Sequence, residues 1–111
     1  MRPNTVKQLW RAGEPAFGAW LTIPSSISAE TVAHVGFDYV CVDMQHGVID
    51  YRDAVGMLTA ISTTPAMPFV RVPWNDASII NRMLDAGAMG IIVPMVNSAD
   101  EARAVVTAGR Y

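Results

Sequence analysis

Two side chains in this sequence have types and placements that suit them to chemistry on a small oxo acid. His46 can take a proton near neutral pH, and a carboxylate nearby would hold its tautomer and raise its basicity. Asp43 stands three residues before it, in the polar cluster Asp43, Gln45, His46. Arg71 interrupts the apolar run Phe69 to Val72. Its permanently charged planar fork suits the grip of a carboxylate or of a developing enolate oxygen. Together they suggest carbanion chemistry on a keto acid. The same spacing also fits a hydrogen-bonded loop histidine and an arginine in a structural ion pair.

Such residues need a frame, and the pattern supplies one. Short β-type runs alternate with helical stretches four times, after a first helix capped by Asn4 with Val6, Leu9 and Trp10 on its apolar face and Gly13 at its end. Phe17 to Ile23 is expected as the first strand, followed by a helix capped by Ser25, Ser26 or Ser28 and stopped at Gly36. Tyr39 to Val42 forms a continuous apolar run, as in a strand buried on both faces. Asp50, with Asp53 three residues on, starts the next helix. Phe69 to Val72 is the third strand, and Asp76 caps a helix ending at Gly87. Ile91 to Val93 is the fourth, and Ser98 with Glu101 spells a capping box for a last helix stopped at Gly109.

Strand then helix, with short connections, means parallel βα units with right-handed crossovers. Four parallel strands fit either an open doubly wound sheet or half of a (β/α)8 barrel. The turn IPSSIS carries no glycine-rich phosphate fingerprint, and polar residues recur at successive strand ends, which favours the barrel. The functional face then lies where strands become loops. Trp20 and the serines, Asp43, Gln45 and His46, Arg71, and Pro94 with Met95 are the residues placed there.

Bulk properties narrow the classes. Of 111 residues, 51% are hydrophobic and 16% charged, so a packed core is expected. A net charge of -2 offers no field to gather nucleic acid or coat an anionic membrane. The single cysteine excludes an internal disulfide, and neither an apolar leader nor a spanning run is visible, so a cytoplasmic protein is expected. His34, near a helix end, reads as a partner of the helix dipole, and Cys41, within a strand, as a small hydrophobe.

Several segments carry a resemblance: GAWLTIPSS, VGFDYV, VDMQHG, FVRVPWND, MLDAG and IIVPMVNSADEA. In uninterrupted order over nearly the whole chain, they resemble the HpcH/HpaI family of class II pyruvate aldolases. Those are α/β proteins of the parallel (β/α)8 TIM-barrel type, acting on substrates such as 4-hydroxy-2-oxo-heptanedioate or 2-keto-3-deoxy sugar acids. The resemblance implies an N-terminal helix and the first four βα units, so residues 1–111 would be the N-terminal half of one barrel domain. It implies reversible cleavage of 4-hydroxy-2-oxo acids to pyruvate and an aldehyde through a metal-stabilised enolate. His46 falls on the family's catalytic histidine and Arg71 on the arginine that grips pyruvate. Asp85, in MLDAG, matches the acidic residue that assists the histidine, which it would most simply reach across a subunit interface. Resemblance thus favours Asp85 as the histidine's assistant, and spacing favours Asp43.

Trp20 matches a position near the substrate pocket and equally fits an aromatic in the barrel core. Gln45 stands where many members have Glu. The family's divalent metal, Mg2+, Mn2+ or Co2+, takes a Glu and an Asp from strands five and six, so no metal ligand is expected in this sequence. Small-molecule substrates and a homo-oligomer are implied, with no nucleic acid or membrane partner. A four-stranded half-barrel would leave apolar faces and strand edges uncovered, so activity is expected to require the second half. The alternatives are an inactive half-barrel acting only by association, and a citrate-lyase-like barrel acting on coenzyme A thioesters.

Overall fold

The computed structural model describes residues 2–110. Helices and strands alternate in the order α1 (Thr5–Arg11), β1 (Gly18–Leu21), α2 (Ser26–Ala33), β2 (Tyr39–Asp43), α3 (Tyr51–Ser62), β3 (Met67–Arg71), α4 (Ala77–Asp85), β4 (Gly90–Ile92) and α5 (Ala99–Ala108). The strands pair in parallel, each with the next in sequence, in the order β1-β2-β3-β4. This is the arrangement of the first four units of a TIM barrel.

Local chemistry sets the boundaries. Asn4, Ser25, Asp50, Asp76 and Ser98 each accept a backbone N–H of their helix's first turn. At α3 the box is complete, because Asp53 returns a bond to the Asp50 amide. At α5 it is not. Ser98 accepts from the Glu101 amide at 3.1 Å, but the Glu101 carboxylate reaches past the cap to the Asn97 amide at 2.6 Å. Gly13, Gly36 and Gly87 follow their helices with positive φ, whereas Gly109 keeps φ at -77°, so α5 ends without needing a glycine.

β1 is shorter than the run Phe17 to Ile23. Phe17 and Ile23 both turn outward and are exposed. β3 starts two residues earlier than expected and takes in Pro68. The Pro68 carbonyl accepts from Met89 on the β4 side, where strand pairing begins only at Phe69 with Gly90, so its missing N–H costs no ladder bond.

Period two along each strand separates two faces. Val40, Val42, Val70 and Val72 pack outward against Ala29, Ala54, Leu58, Ile61 and Met83 of the helices. Burial of each large side chain there contributes on the order of 2 kcal/mol. Tyr39, Cys41, Met67, Phe69 and Ile92 point to the inner face, where Val6 of α1 joins them. Glycine makes room there: a Cβ at Gly18 would overlap the Tyr39 ring, and one at Gly90 the Phe69 ring. The two rings stack with centroids 4.6 Å apart.

Helix α1 is fastened beneath this face. The Arg2 guanidinium donates to the carbonyls of Ser62, Thr64, Pro65 and Ala66 at 2.6–3.1 Å, and the Asn4 side chain donates to the Met89 carbonyl at 2.8 Å. Of its expected apolar face, Val6 is buried, but Trp10 is exposed, with an edge toward Phe69. Trp10, Tyr39, Phe69 and Ile92 line an open groove of about 500 Å³ along β4. No described helix is long and apolar enough to cross a membrane.

Candidate active site at the carboxyl ends of the strands

Asp43 and Arg71 are the last residues of β2 and β3 and are register partners, so the parallel pairing brings them side by side above the inner face. The pair is bidentate: Arg71 Nε donates to Asp43 Oδ1 at 3.0 Å and Nη2 to Oδ2 at 2.6 Å. Asp43 is 2% exposed, and the Arg71 side chain 24%. Three further donors converge on the carboxylate. Trp20 Nε1 reaches Oδ2 at 3.1 Å, and the amides of Gln45 and His46 reach Oδ1 at 3.0 and 3.4 Å. The Arg71 guanidinium also lies 5.2 Å from the centre of the Trp20 ring, within range of a cation–π contact.

The electrostatics follow from these contacts. Burial alone would raise the Asp43 pKa, but the Arg71 pair, the two amides and the indole outweigh it and hold the carboxyl at about 2. The bond to Asp43 raises the pKa of Arg71 in turn. Asp43 is therefore a fixed anion and Arg71 a fixed cation. A guanidinium has five N–H donors, and Asp43 takes two. Among the described residues nothing takes the rest, and the partial exposure of Arg71 leaves them open to a ligand. Such an edge fits a carboxylate or a 2-oxo group.

His46 lies on the loop after β2, exposed, and its ring has no hydrogen-bond partner among the described residues. Asp43 meets it through the His46 backbone N–H and makes no bond to the imidazole. Of the two carboxylates considered for orienting the ring, Asp43 spends its bonds on backbone amides, Trp20 and Arg71 in this chain. Five donors saturate the carboxylate, and the turn that carries two of them is what separates His46 from it. Gln45 likewise contributes its amide, and its half-buried side chain bonds to no described residue.

Asp85 ends α4, which runs back from the carboxyl ends of the strands to their amino ends. It is exposed at the opposite end of the sheet from His46, so one chain does not bring the two together. His34 is the C-cap of α2, also exposed. Cys41 faces inward below Asp43, and burial pushes its thiol up to about 12, which leaves it no nucleophilic role. Met95, just after β4, holds φ at 58°, a left-handed conformation unusual for a side chain of its size.

Two features had no direct signal in the sequence. Trp20 pairs in register with Cys41 rather than Asp43, so its bond to Asp43 runs diagonally up the sheet. The need of a partly buried indole for an acceptor was the available clue. The bidentate pair depends on the β2/β3 register, which periodicity does not set.

No group of three or more His, Cys, Asp or Glu among the described residues could hold a metal ion. Asp43, the carboxylate at the strand ends, is already neutralised by Arg71. The donor set of the described residues therefore does not fit a divalent cation.

Fold and site define a parallel βα protein with a partly exposed guanidinium and, on the neighbouring loop, an imidazole without a hydrogen-bond partner among the described residues, at the carboxyl ends of the strands. The comparisons with known proteins are specific: the model of the HpcH/HpaI aldolase/citrate lyase family matches residues 16–111, and the chain belongs to that family. It is 45% identical over 108 residues to a hydroxypyruvate/pyruvate aldolase of Rhizorhabdus wittichii, covering 97% of this chain and 43% of that protein. It is 44% identical to a 4-hydroxy-2-oxo-heptane-1,7-dioate aldolase of Salmonella arizonae, covering 97% of this chain and 41% of that one. A solved HpcH/HpaI aldolase/citrate lyase family protein from Burkholderia cenocepacia superposes with a TM-score of 0.92 at 38% identity, over 98% of this chain and 44% of the other. The chain thus spans less than half the length of the relatives it matches.

Proposed function

We propose that residues 1–111 form the N-terminal half of a barrel that cleaves 4-hydroxy-2-oxo acids reversibly to pyruvate and an aldehyde. The observation that carries this reading is the Arg71 guanidinium, locked on one edge by Asp43 and open on the other, with the free imidazole of His46 on the neighbouring loop. Arg71 binds the carboxylate and 2-oxo end of the substrate, fixing it in place and stabilising negative charge as it builds on the C2 oxygen. His46 takes the proton of the C4 hydroxyl. The C3–C4 bond then breaks, its electron pair becomes the enolate of pyruvate, and C4 leaves as the aldehyde carbonyl. Return of a proton to C3 completes pyruvate.

Membership of the family supports a divalent cation as cofactor, and its ligands would lie outside the residues described. No step above is assigned to it. Asp85 supports a homo-oligomer, in which it would assist His46 of a second copy from the end of α4.

Pyruvate release from 4-hydroxy-2-oxo acids by the complete gene product, with added Mg2+, Mn2+ or Co2+, tests the reading. His46→Ala should lower kcat by about 100-fold or more, the usual share of a general base. Undiminished turnover in that variant would reject His46 as the base.

A further inference from the structure

We propose that Trp20 is a positioning residue, whose indole N–H on Asp43 and ring face against Arg71 together fix the plane of the guanidinium that receives the substrate carboxylate. For its substrate this rests on the aldolase reading; for its geometry it rests on the three side chains alone.

A guanidinium on a long flexible stem presents its open edge in one direction only if its closed edge is held. Asp43 holds it, so the plane of the carboxylate sets the plane of the guanidinium. The amides of Gln45 and His46 fix Oδ1. Oδ2 carries the shortest bond to Arg71, and its one other donor among the described residues is Trp20 Nε1. Remove that donor, and Oδ2 is held by Arg71 alone among the described residues, so the carboxylate can tilt and carry the guanidinium with it.

The ring acts from a second direction. With Arg71 at 5.2 Å from its centre, the indole flanks the guanidinium that Asp43 holds at the edge. Trp10 and Trp74, the other two tryptophans, make no indole N–H bond among the described residues. Trp20 therefore acts through Asp43 and Arg71 rather than as packing.

Two variants separate its contributions: Trp20→Phe keeps a ring and removes the N–H, and Trp20→Gln keeps an N–H and removes the ring. Each is combined with Arg71→Lys, which preserves charge and loses the fork. The readouts, on the complete gene product with Mg2+, are calorimetric binding of oxalate, a small dicarboxylate, and the kcat and KM of pyruvate release. Trp20→Phe should weaken oxalate binding and raise KM about 3- to 10-fold, a fraction of the worth of a hydrogen bond to a carboxylate because Trp20 acts only through Arg71, with kcat changed far less. In the Arg71→Lys background the same substitution should cost nearly nothing, since the group it positions is gone. If Trp20→Phe does not fold, the Trp20→Gln cycle tests the ring face, whose loss should likewise weaken oxalate binding only while Arg71 is present. Losses that multiply independently of Arg71, or no loss at all, would overturn the positioning role. A wild type that binds oxalate but releases no pyruvate removes the aldolase reading and leaves the oxalate cycle to decide this one. A wild type that does not bind oxalate overturns both.

Discussion

Asp43 shows how one residue's environment decides its task. Its carboxyl is held at about 2, below the value near 3.9 of an unfolded chain. Since the folded state binds the proton less readily, the pair's stabilisation is fully present above about pH 4. It is lost as pH falls toward 2, an amount of about 2 kcal/mol. Urea unfolding of wild type and Asp43→Asn between pH 5 and 2 should show this: wild type loses stability steeply, and the variant, already weakened by an uncompensated Arg71, loses about 2 kcal/mol less over the interval. Cys41 gives a contrasting case. With its thiol near 12 and no exposure, it should resist a thiol reagent at pH 8 in the folded protein and react within seconds once urea is added. At this scale the sequence identified Arg71 and His46 as chemically apt. It offered two carboxylates for His46, Asp43 by spacing and Asp85 by resemblance, because nearness along the chain is not nearness in space where a strand turns into a loop. The true partner of Asp43 lies 28 residues away and is set by strand register.

Element boundaries were legible because their signals are local: a capping oxygen before each helix, a glycine after most, and apolar runs between. What remained hidden depends on neighbouring strands. Gly18 and Gly90 look like ordinary strand termini in the sequence, yet each leaves the space that a ring on the adjacent strand occupies. Gly90→Ala should therefore cost about 1–3 kcal/mol in chemical unfolding, the usual range for overpacking. Gly109→Ala is the matched control. Its φ is ordinary and its nearest contacts beyond the adjacent residues are at 3.5 Å or more, so the substitution should be neutral within about 0.5 kcal/mol. At α3, Asp50→Ala removes a complete capping box and should cost about 1 kcal/mol.

For the whole molecule the aldolase reading turns on the relation between Asp85 and His46. The fold separates it from His46 of the same chain by the length of the sheet, whereas the aldolase reading joins their roles. Subunit mixing addresses this. His46→Ala and Asp85→Asn proteins, each impaired alone, should regain part of the wild-type rate when unfolded together and refolded as a mixture, because some interfaces then combine an intact Asp85 with an intact His46. A mixture no more active than the sum of its parts would place the two residues in separate functions.

The contacts of Arg2 and Asn4 bear on the order in which the chain assembles. Each strand pairs with the one made just before or after it, so the sheet can grow outward from short-range closures. The bonds that hold α1 span 60 to 85 residues and close only when β3 and β4 are in place. A seven-residue helix has little stability alone, so α1 settles last and opens first. Native-state hydrogen exchange should find the amides of Gln8 to Arg11 released by local opening, at lower cost than those of β2 and β3, which wait for the whole molecule to unfold.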